Sequence, residues 1–337
     1  MGSDRAPRPE IEGAMLAVRH YPGVKVLLVG PEERLRQELA AHPTAHSAPV
    51  DVINATQVIG MNEKPVQAVR SKRDSSLHVG LRLVKERRAV GFVTAGNTGA
   101  AMATAKMVLG ALPGADRPAL ANVFPTSTGR PAIMIDVGAN VDSKPQNLAQ
   151  FAVMGEIYYR SIFGKTKPSV GLLSIGEEEG KGNELTKDTY EKLRHSSLNF
   201  IGNIEGRDIY NGRCDVVVTD GFTGNVCLKV SESLAEMLTE MIRQEVGRDV
   251  LSLAGAALSK RAFARMKRRV DYTEMGGAPL LGISGATIIC HGASPVKAIK
   301  NAVRVAGEWV KSGVNEHITT ALDAELELAE GREGGRE

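Results

Sequence analysis

The sequence predicts an α/β fold built on a mostly parallel sheet, and three observations carry that expectation. Short apolar, β-branched runs alternate with longer segments of helical period. The turns joining each run to the segment after it are rich in glycine and asparagine. The 337 residues are 42% hydrophobic and 24% charged, a balance that supplies a sizeable core and argues against a disordered or fibrous chain.

The first unit reads as a strand at 24–29 (VKVLLV), the turn Gly30-Pro31 and a helix at 32–41. A strand at 89–94 passes through Ala-Gly-Asn-Thr-Gly into a helix at 99–110, and one at 132–137 through Gly-Ala-Asn into a helix at 144–162. The run 169–175 (SVGLLSI) opens a Gly- and Glu-rich loop before a helix at 184–195. The run 215–219 (DVVVT) leads into a long helix at 224–245, and 286–290 into a helix at 295–311 with Pro295 in its first turn. A further helix starts near Ser75, with Asp74 or Ser75 as its cap. Residues 246–273 read as a protruding helical pair, and 323–337 as a charged C-terminal tail. The organisation expected is one α/β catalytic domain over 1–322.

Composition excludes several function classes. A formal charge of +3 and 4% aromatic residues do not fit a nucleic-acid binder. Cys214, Cys227 and Cys290 have no CxxC pairing, so neither a disulfide framework nor a thiolate zinc site is expected, and a reducing cytoplasm is the natural compartment. No run of about 18 apolar residues and no secretory leader is present. Dinucleotide, P-loop, zincin and nucleophile-elbow motifs are absent. No metal or cofactor is expected.

Four strand-end turns share a chemistry: Gly96-Asn97-Thr98-Gly99, Gly138-Ala139-Asn140, Lys181-Gly182-Asn183 and Thr223-Gly224-Asn225. Glycine admits close backbone approach, helix N-termini attract anions, and Lys181 adds a positive charge. Ligands of open parallel sheets collect beyond the carboxyl ends of the strands, so these turns are expected to share one anion site. Arg70 and Lys72 are further candidate anion contacts. Each turn taken alone also reads as an ordinary cap or tight turn. Between 246 and 273 seven Lys or Arg face two Asp, beside the apolar stretch VLSLAGAAL. Val250, Leu251, Leu253 and Leu258 with Lys260, Arg261, Lys267 and Arg268 therefore suit an anionic membrane surface or an acidic partner, and equally a dimerisation pair with a solvated basic face.

Taken together, MGSDRAP, KPVQAVRSKRDSS, TAGNTGA, DVGAN, IGEEEGKGN, NFIGNIEGRDI, DGFTGNVCLK, GGAPLLGI and HGAS resemble the PlsX-type phosphate acyltransferases of bacterial phospholipid synthesis. The resemblance implies a three-layer α/β/α sandwich related to isocitrate and isopropylmalate dehydrogenases, and a homodimer. It implies transfer of a long-chain acyl group from acyl carrier protein to inorganic phosphate by a cytoplasmic enzyme attached peripherally to membranes. The family usually has a strand before a Gly-Gly-Asp-His-Ala-Pro motif, where this chain begins at Met1 and carries Arg5 in the histidine position. It usually has a glycine soon after the lysine matched by Lys229, where this chain reads Val230-Ser231.

Phosphate is already a competent nucleophile at neutral pH and a thiolate is a tolerable leaving group, so fixed donors and a cation matter more than acid–base machinery. Lys181, Asn97 and Asn225 are expected to serve the reaction, with Thr98, Asp4, Arg70 and His291 near the phosphate. The alternatives are a phosphotransacetylase-like enzyme using coenzyme A and a non-catalytic membrane-recruitment protein.

Overall fold

The computed structural model describes the backbone of residues 1–270 and 272–333 and the side chains of 1–266 and 273–331. In chain order α1 (Arg8–His20) leads to β1 (Val26–Gly30), α2 (Glu32–Ala40) and β2 (Val50–Asn54). Next come α3 (Pro65–Ser71), α4 (Ser76–Lys85), β3 (Gly91–Thr94) and α5 (Thr98–Val108). β4 (Ala119–Phe124) and β5 (Ala132–Ile135) precede α6 (Pro145–Phe163), β6 (Val170–Leu173), α7 (Glu184–Arg194) and β7 (Phe200–Ile204). A short α8 (Asp208–Asn211) and β8 (Val216–Val218) lead into α9 (Gly221–Val246), α10 (Val250–Leu258) and α11 (Lys260–Val270). β9 (Ala278–Leu281), β10 (Ala286–Ile289), α12 (Val296–Lys311) and α13 (Val314–Glu333) follow, so residues 323–333 are helical.

Eight strands form one sheet in the order β3-β10-β9-β4-β5-β8-β6-β7, and β1 pairs only with β2 in a separate parallel pair. The expected βα unit at 24–41 therefore stands outside the main sheet. Helices cover both faces. On one, α6, α12 and α13 bury Phe151, Tyr158, Trp309 and Ile318; on the other, α3, α4, α5 and α9 pack around Leu77, Ala101, Leu120, Val217 and Leu280. This is the α/β/α layering that amphipathic helices on a doubly buried sheet require.

One expectation fails in an informative way. β10 runs parallel to β3, β9 antiparallel to β10, β4 antiparallel to β9, and β5 antiparallel to β4. β8, β6 and β7 then continue parallel to β5. The reversal across β9 and β4 leaves β5, β8 and β6 running opposite to β3 and β10. Their carboxyl ends leave the sheet at opposite edges, so the four glycine-rich turns form two groups.

Helix α9 is longer than the sheet is deep. At Ser231 its hydroxyl already meets Tyr210, whose carbonyl accepts from Ser127 N at 2.8 Å in the turn between β4 and β5. That turn lies on the edge where β3 and β10 end. The remainder of α9 overshoots this edge by roughly 20 Å at 1.5 Å per residue, carrying α10 and α11 with it.

Candidate functional site

The first group lies at the ends of β3 and β10. Asn97 caps α5, its Oδ1 accepting from Ala100 N at 3.0 Å, while its Nδ2 donates to the carbonyls of Met61 (2.9 Å) and Glu63 (3.1 Å). Both ends of this buried amide are committed within the protein, so Asn97 positions the 60–64 loop against α5. Lys72 is also committed: its ammonium binds Glu63 at 2.6 Å and the Val58 carbonyl at 2.8 Å. The Gly60 N–H and this ammonium hold the Glu63 carboxyl below its ordinary range. Lys72 is thereby a strut of the loop. Thr98 is exposed, and its hydroxyl has no partner among the described residues. Asp4 docks on the loop after β10, with its N–H on Gly292 O at 3.1 Å, and the exposed His291 accepts from Ala293 N at 3.2 Å through Nδ1. Arg70 is exposed on α3. Gly96 and Gly99 bring the chain start and Pro65 close, their Cα positions leaving a substituent 3.5 Å from Met1 O and 2.8 Å from Pro65 Cγ.

The second group lies at the ends of β5, β8 and β6 and is organised by a residue the sequence reading overlooked. Asp136 is fully buried, and its carboxylate accepts from the backbone N–H of Leu120, Gly138, Ala139 and Asn140 and from Asn140 Nδ2, at 2.7 to 3.2 Å. Burial pushes its pKa above the usual carboxylate range and these donors oppose that shift. Every neighbour donates, so the anion is the form the site accommodates. The signal was an aspartate two to four residues ahead of Gly-Ala-Asn, the spacing of a side chain that closes its own turn. Asn140 spends its amide N–H groups on Asp136 and the Pro118 carbonyl, and so supports this turn.

Two further residues of this group are engaged in helix caps. Thr223 donates from Oγ1 (2.7 Å) and N (2.9 Å) to Asp220, the N-cap of α9, and Asn183 caps α7 by accepting from Thr186 N at 2.9 Å. Both line a cavity of about 320 Å³ with Asp142 and Asp220, whose two carboxylates make it a poor phosphate cradle. Gly224 and Gly182 are needed for packing and backbone conformation: a methyl on Gly224 would lie 1.9 Å from Asp136 O, and Gly182 has φ +108° with a methyl 2.0 Å from Thr186 Oγ1.

Two donors in this group remain uncommitted. The loop before Lys181 is tied down by Glu177 to Arg213 (2.7 Å) and Arg207 (3.0 Å), by Glu179 to Tyr190 (3.0 Å), and by Asn203 Nδ2 to Glu178 O (2.9 Å). Lys181 thus projects from a fixed backbone, exposed, with no partner for its ammonium among the described residues. Asn225 is exposed beside Gly138, and its amide is likewise unpartnered among them. Cys214 and Cys290 are buried with thiols pushed up to about 12 by desolvation, which removes them as nucleophiles at neutral pH.

The two groups border the same face of the sheet, since Ala100, Ala101 and Met102 of the first and Ala139, Cys227 and Leu228 of the second belong to one apolar cluster. At the projecting hairpin, Val250, Leu251 and Leu258 are at least 83% exposed, Leu253 is 58% exposed, and Lys260 and Arg261 are exposed on α11. The side chains of Lys267 and Arg268 lie outside the described residues.

The profile of the fatty acid synthesis protein family matches residues 1–317. A phosphate acyltransferase of Acidobacterium capsulatum is 56% identical over 317 residues, 94% of this chain and 94% of that protein. The chain belongs to the PlsX-type phosphate acyltransferase family. Another phosphate acyltransferase in the family, from Koribacter versatilis, is 57% identical over 332 residues, covering 97% of this chain and 92% of that protein. Among solved structures, the EutD phosphotransacetylase from Staphylococcus aureus superposes with a TM-score of 0.57 at 16% identity, over 90% of this chain and 92% of its own. A phosphotransacetylase from Streptococcus pyogenes gives 0.55 at 16% identity, over 91% and 99%. These two likenesses concern the fold, and match the sandwich described above. No described helix is long and apolar enough to cross a membrane.

Proposed function

We propose that this chain transfers a long-chain acyl group from acyl carrier protein to inorganic phosphate, releasing the carrier thiol and acyl phosphate. A phosphate oxygen attacks the thioester carbonyl, the tetrahedral oxyanion collapses, and the C–S bond breaks with a proton passing to the thiolate from solvent. Asn225, beside the buried Asp136 turn, and Lys181, on the loop after β6, are the donors left free, and they hold the phosphate dianion and the oxyanion. The observation that carries this reading is that unpartnered ammonium on a loop fixed by ion pairs, in a chain of the phosphate acyltransferase family. Preorganised donors of this kind need no acid–base residue, in keeping with a thiol leaving group of pKa about 8.5.

The hairpin supports the remaining parts of the proposal. Val226, Val230, Leu234, Met237 and Met241 recur along α9 at helical spacing and are 46–61% exposed, a stripe suited to a second copy of the chain. Exposed α10 and basic α11 suit an anionic membrane from the cytoplasmic side, and the same cations suit an acidic carrier protein.

The deciding experiment is phosphate-dependent release of free thiol by the purified protein, with one acyl chain presented on carrier protein or on coenzyme A. Faster release from carrier protein is expected. Preference for coenzyme A would favour the phosphotransacetylase-like alternative, and no release from either would leave a recruitment protein without chemistry. For the hairpin, Leu251→Glu with Leu253→Glu is expected to abolish sedimentation with vesicles containing anionic lipid while thiol release from a water-soluble donor stays at the wild-type rate. Retained sedimentation would remove α10 from the membrane contact.

A further inference from the structure

The segment at 199–209, NFIGNIEGRDI, gives no side chain to phosphate or to the thioester, and its place in the fold shows another use. Its strand β7 pairs with β6 out of step. Val170 faces Phe200 while Leu172 faces Asn203, so β7 carries one residue more than β6 across this stretch. Gly202 sits in that bulge with φ +93°, a conformation glycine adopts without steric penalty. A bulge re-aims the side chain beside it, and here that side chain is Asn203.

Asn203 is 1% exposed, and its two polar atoms are served unequally. Nδ2 donates to the Glu178 carbonyl at 2.9 Å, whereas Oδ1 is buried with no donor among the described residues. The same carbonyl accepts from Lys181 N at 3.0 Å, closing a turn over Glu178–Lys181. Asn203 therefore grips the oxygen that fixes the Lys181 peptide. The ion pairs of this loop, Glu177 with Arg207 and Arg213, join exposed side chains and are open to screening by salt. The Asn203 bond is buried. For stability alone asparagine is a poor choice here, because an unpaired buried amide oxygen costs more than one hydrogen bond to a carbonyl returns. An apolar side chain of the same size would suit a strand whose facing residue, Leu172, is fully buried.

We infer that Asn203 is a positioning residue for Lys181, holding the Glu178–Lys181 turn so that the ammonium meets phosphate, a reading that rests on the acyl transfer proposed above. Asn203 touches no substrate and acts only through Glu178 O. The bulge, the buried amide and its orphan oxygen then share one purpose. The rest of the segment serves it: Arg207 holds Glu177, and the buried Asp208 accepts from Glu205 N at 2.9 Å and pairs with Arg213 at 3.5 Å, the second arginine on Glu177. A group that must meet a dianion in one place needs its backbone fixed, since small displacements of a reacting or stabilising group are costly in rate.

The test is a double-mutant cycle read by thiol release at varied phosphate. Asn203→Leu removes the donor and the orphan oxygen together and leaves Glu178 O paired with Lys181 N, so no polar group is stranded and the fold should hold. It is expected to lower kcat/KM about tenfold, the worth of one hydrogen bond. The loss should fall on the same constant, KM for phosphate or kcat, that Lys181→Ala alters. In a Lys181→Ala background Asn203→Leu is expected to have no further effect, because residues acting through one another are not additive. An equal loss in both backgrounds, or wild-type kinetics in Asn203→Leu alone, would overturn the assignment while leaving Lys181 in the site. Should Asn203→Leu not fold, Asn203→Asp decides. Its neutral acid can donate to Glu178 O and its carboxylate cannot, so its rate relative to wild type should fall as pH rises over the range where both proteins stay folded. A ratio constant with pH would overturn the assignment. Wild-type turnover by Lys181→Ala itself would instead sink the reading on which it rests.

Discussion

Gly224→Ala is expected to be among the most destabilising single substitutions in this protein, lowering the unfolding free energy by about 3–5 kcal/mol. The methyl would sit 1.9 Å from the Asp136 carbonyl oxygen and 3.0 Å from its carbon. Alanine has no rotamer to turn away, and the obstructing atom is backbone. That backbone cannot retreat cheaply, because the Asp136 side chain is fixed by donors from four residues and Val137 N is bonded to Leu120 O at 3.0 Å. Relief would require α9 to lift away, and Gly221, packed 2.7 Å from Asp136 Oδ2 by the same construction, lies in the same turn. Gly307→Ala is the control. Nothing lies within 4 Å of the added methyl there, so it should be neutral or stabilise α12 by roughly 0.5–1 kcal/mol. Urea denaturation of the two variants measures both effects, and similar midpoints would contradict the packing of α9 on the Asp136 turn.

The same turn shows what could be read from sequence and what could not. Glycine in DGFTGN was legible as a requirement for close approach, but what approaches is the protein's own backbone. Local signals worked where the structure is local: Ser75 caps α4 by accepting from His78 N, and the run at Val216–Val218 is a fully buried strand. β4 and β9 escaped because no helix follows either within a few residues, so the strand–turn–helix alternation that marked the others was missing. Their antiparallel pairing with distant partners reverses the sheet, and no residue within a turn reports the direction of a strand across the molecule. Asn97 and Lys72 had the right chemistry for an anion, yet their partners at Met61, Glu63 and Val58 are set by tertiary packing.

Lys181→Ala is expected to lower kcat/KM by about 10²–10³ with the fold unchanged, the loss typical of removing one preorganised donor. The fold should survive because the ammonium makes no bond among the described residues, while the backbone here is held through Glu178 O, and Lys181 O accepts from Ser174 Oγ at 3.3 Å. The catalytic loss should be large because phosphate and the tetrahedral intermediate place two anionic groups together beside a turn whose own buried residue, Asp136, is an acid. Without the Lys181 cation, bringing the dianion to the thioester adds repulsion from the developing oxyanion. Lysine at this position can follow the charge from the incoming phosphate to the developing oxyanion, because its flexible stem leaves a rigid loop. Lys181→Arg should therefore recover only part of the rate, its planar fork matching phosphate but not the moving charge. Steady-state thiol release at varied phosphate separates the effects: loss of phosphate binding raises KM for phosphate, and loss of oxyanion stabilisation lowers kcat. A folded Lys181→Ala protein that turns over at the wild-type rate would take Lys181 out of the site and leave Asn225 as its sole uncommitted donor among those identified above.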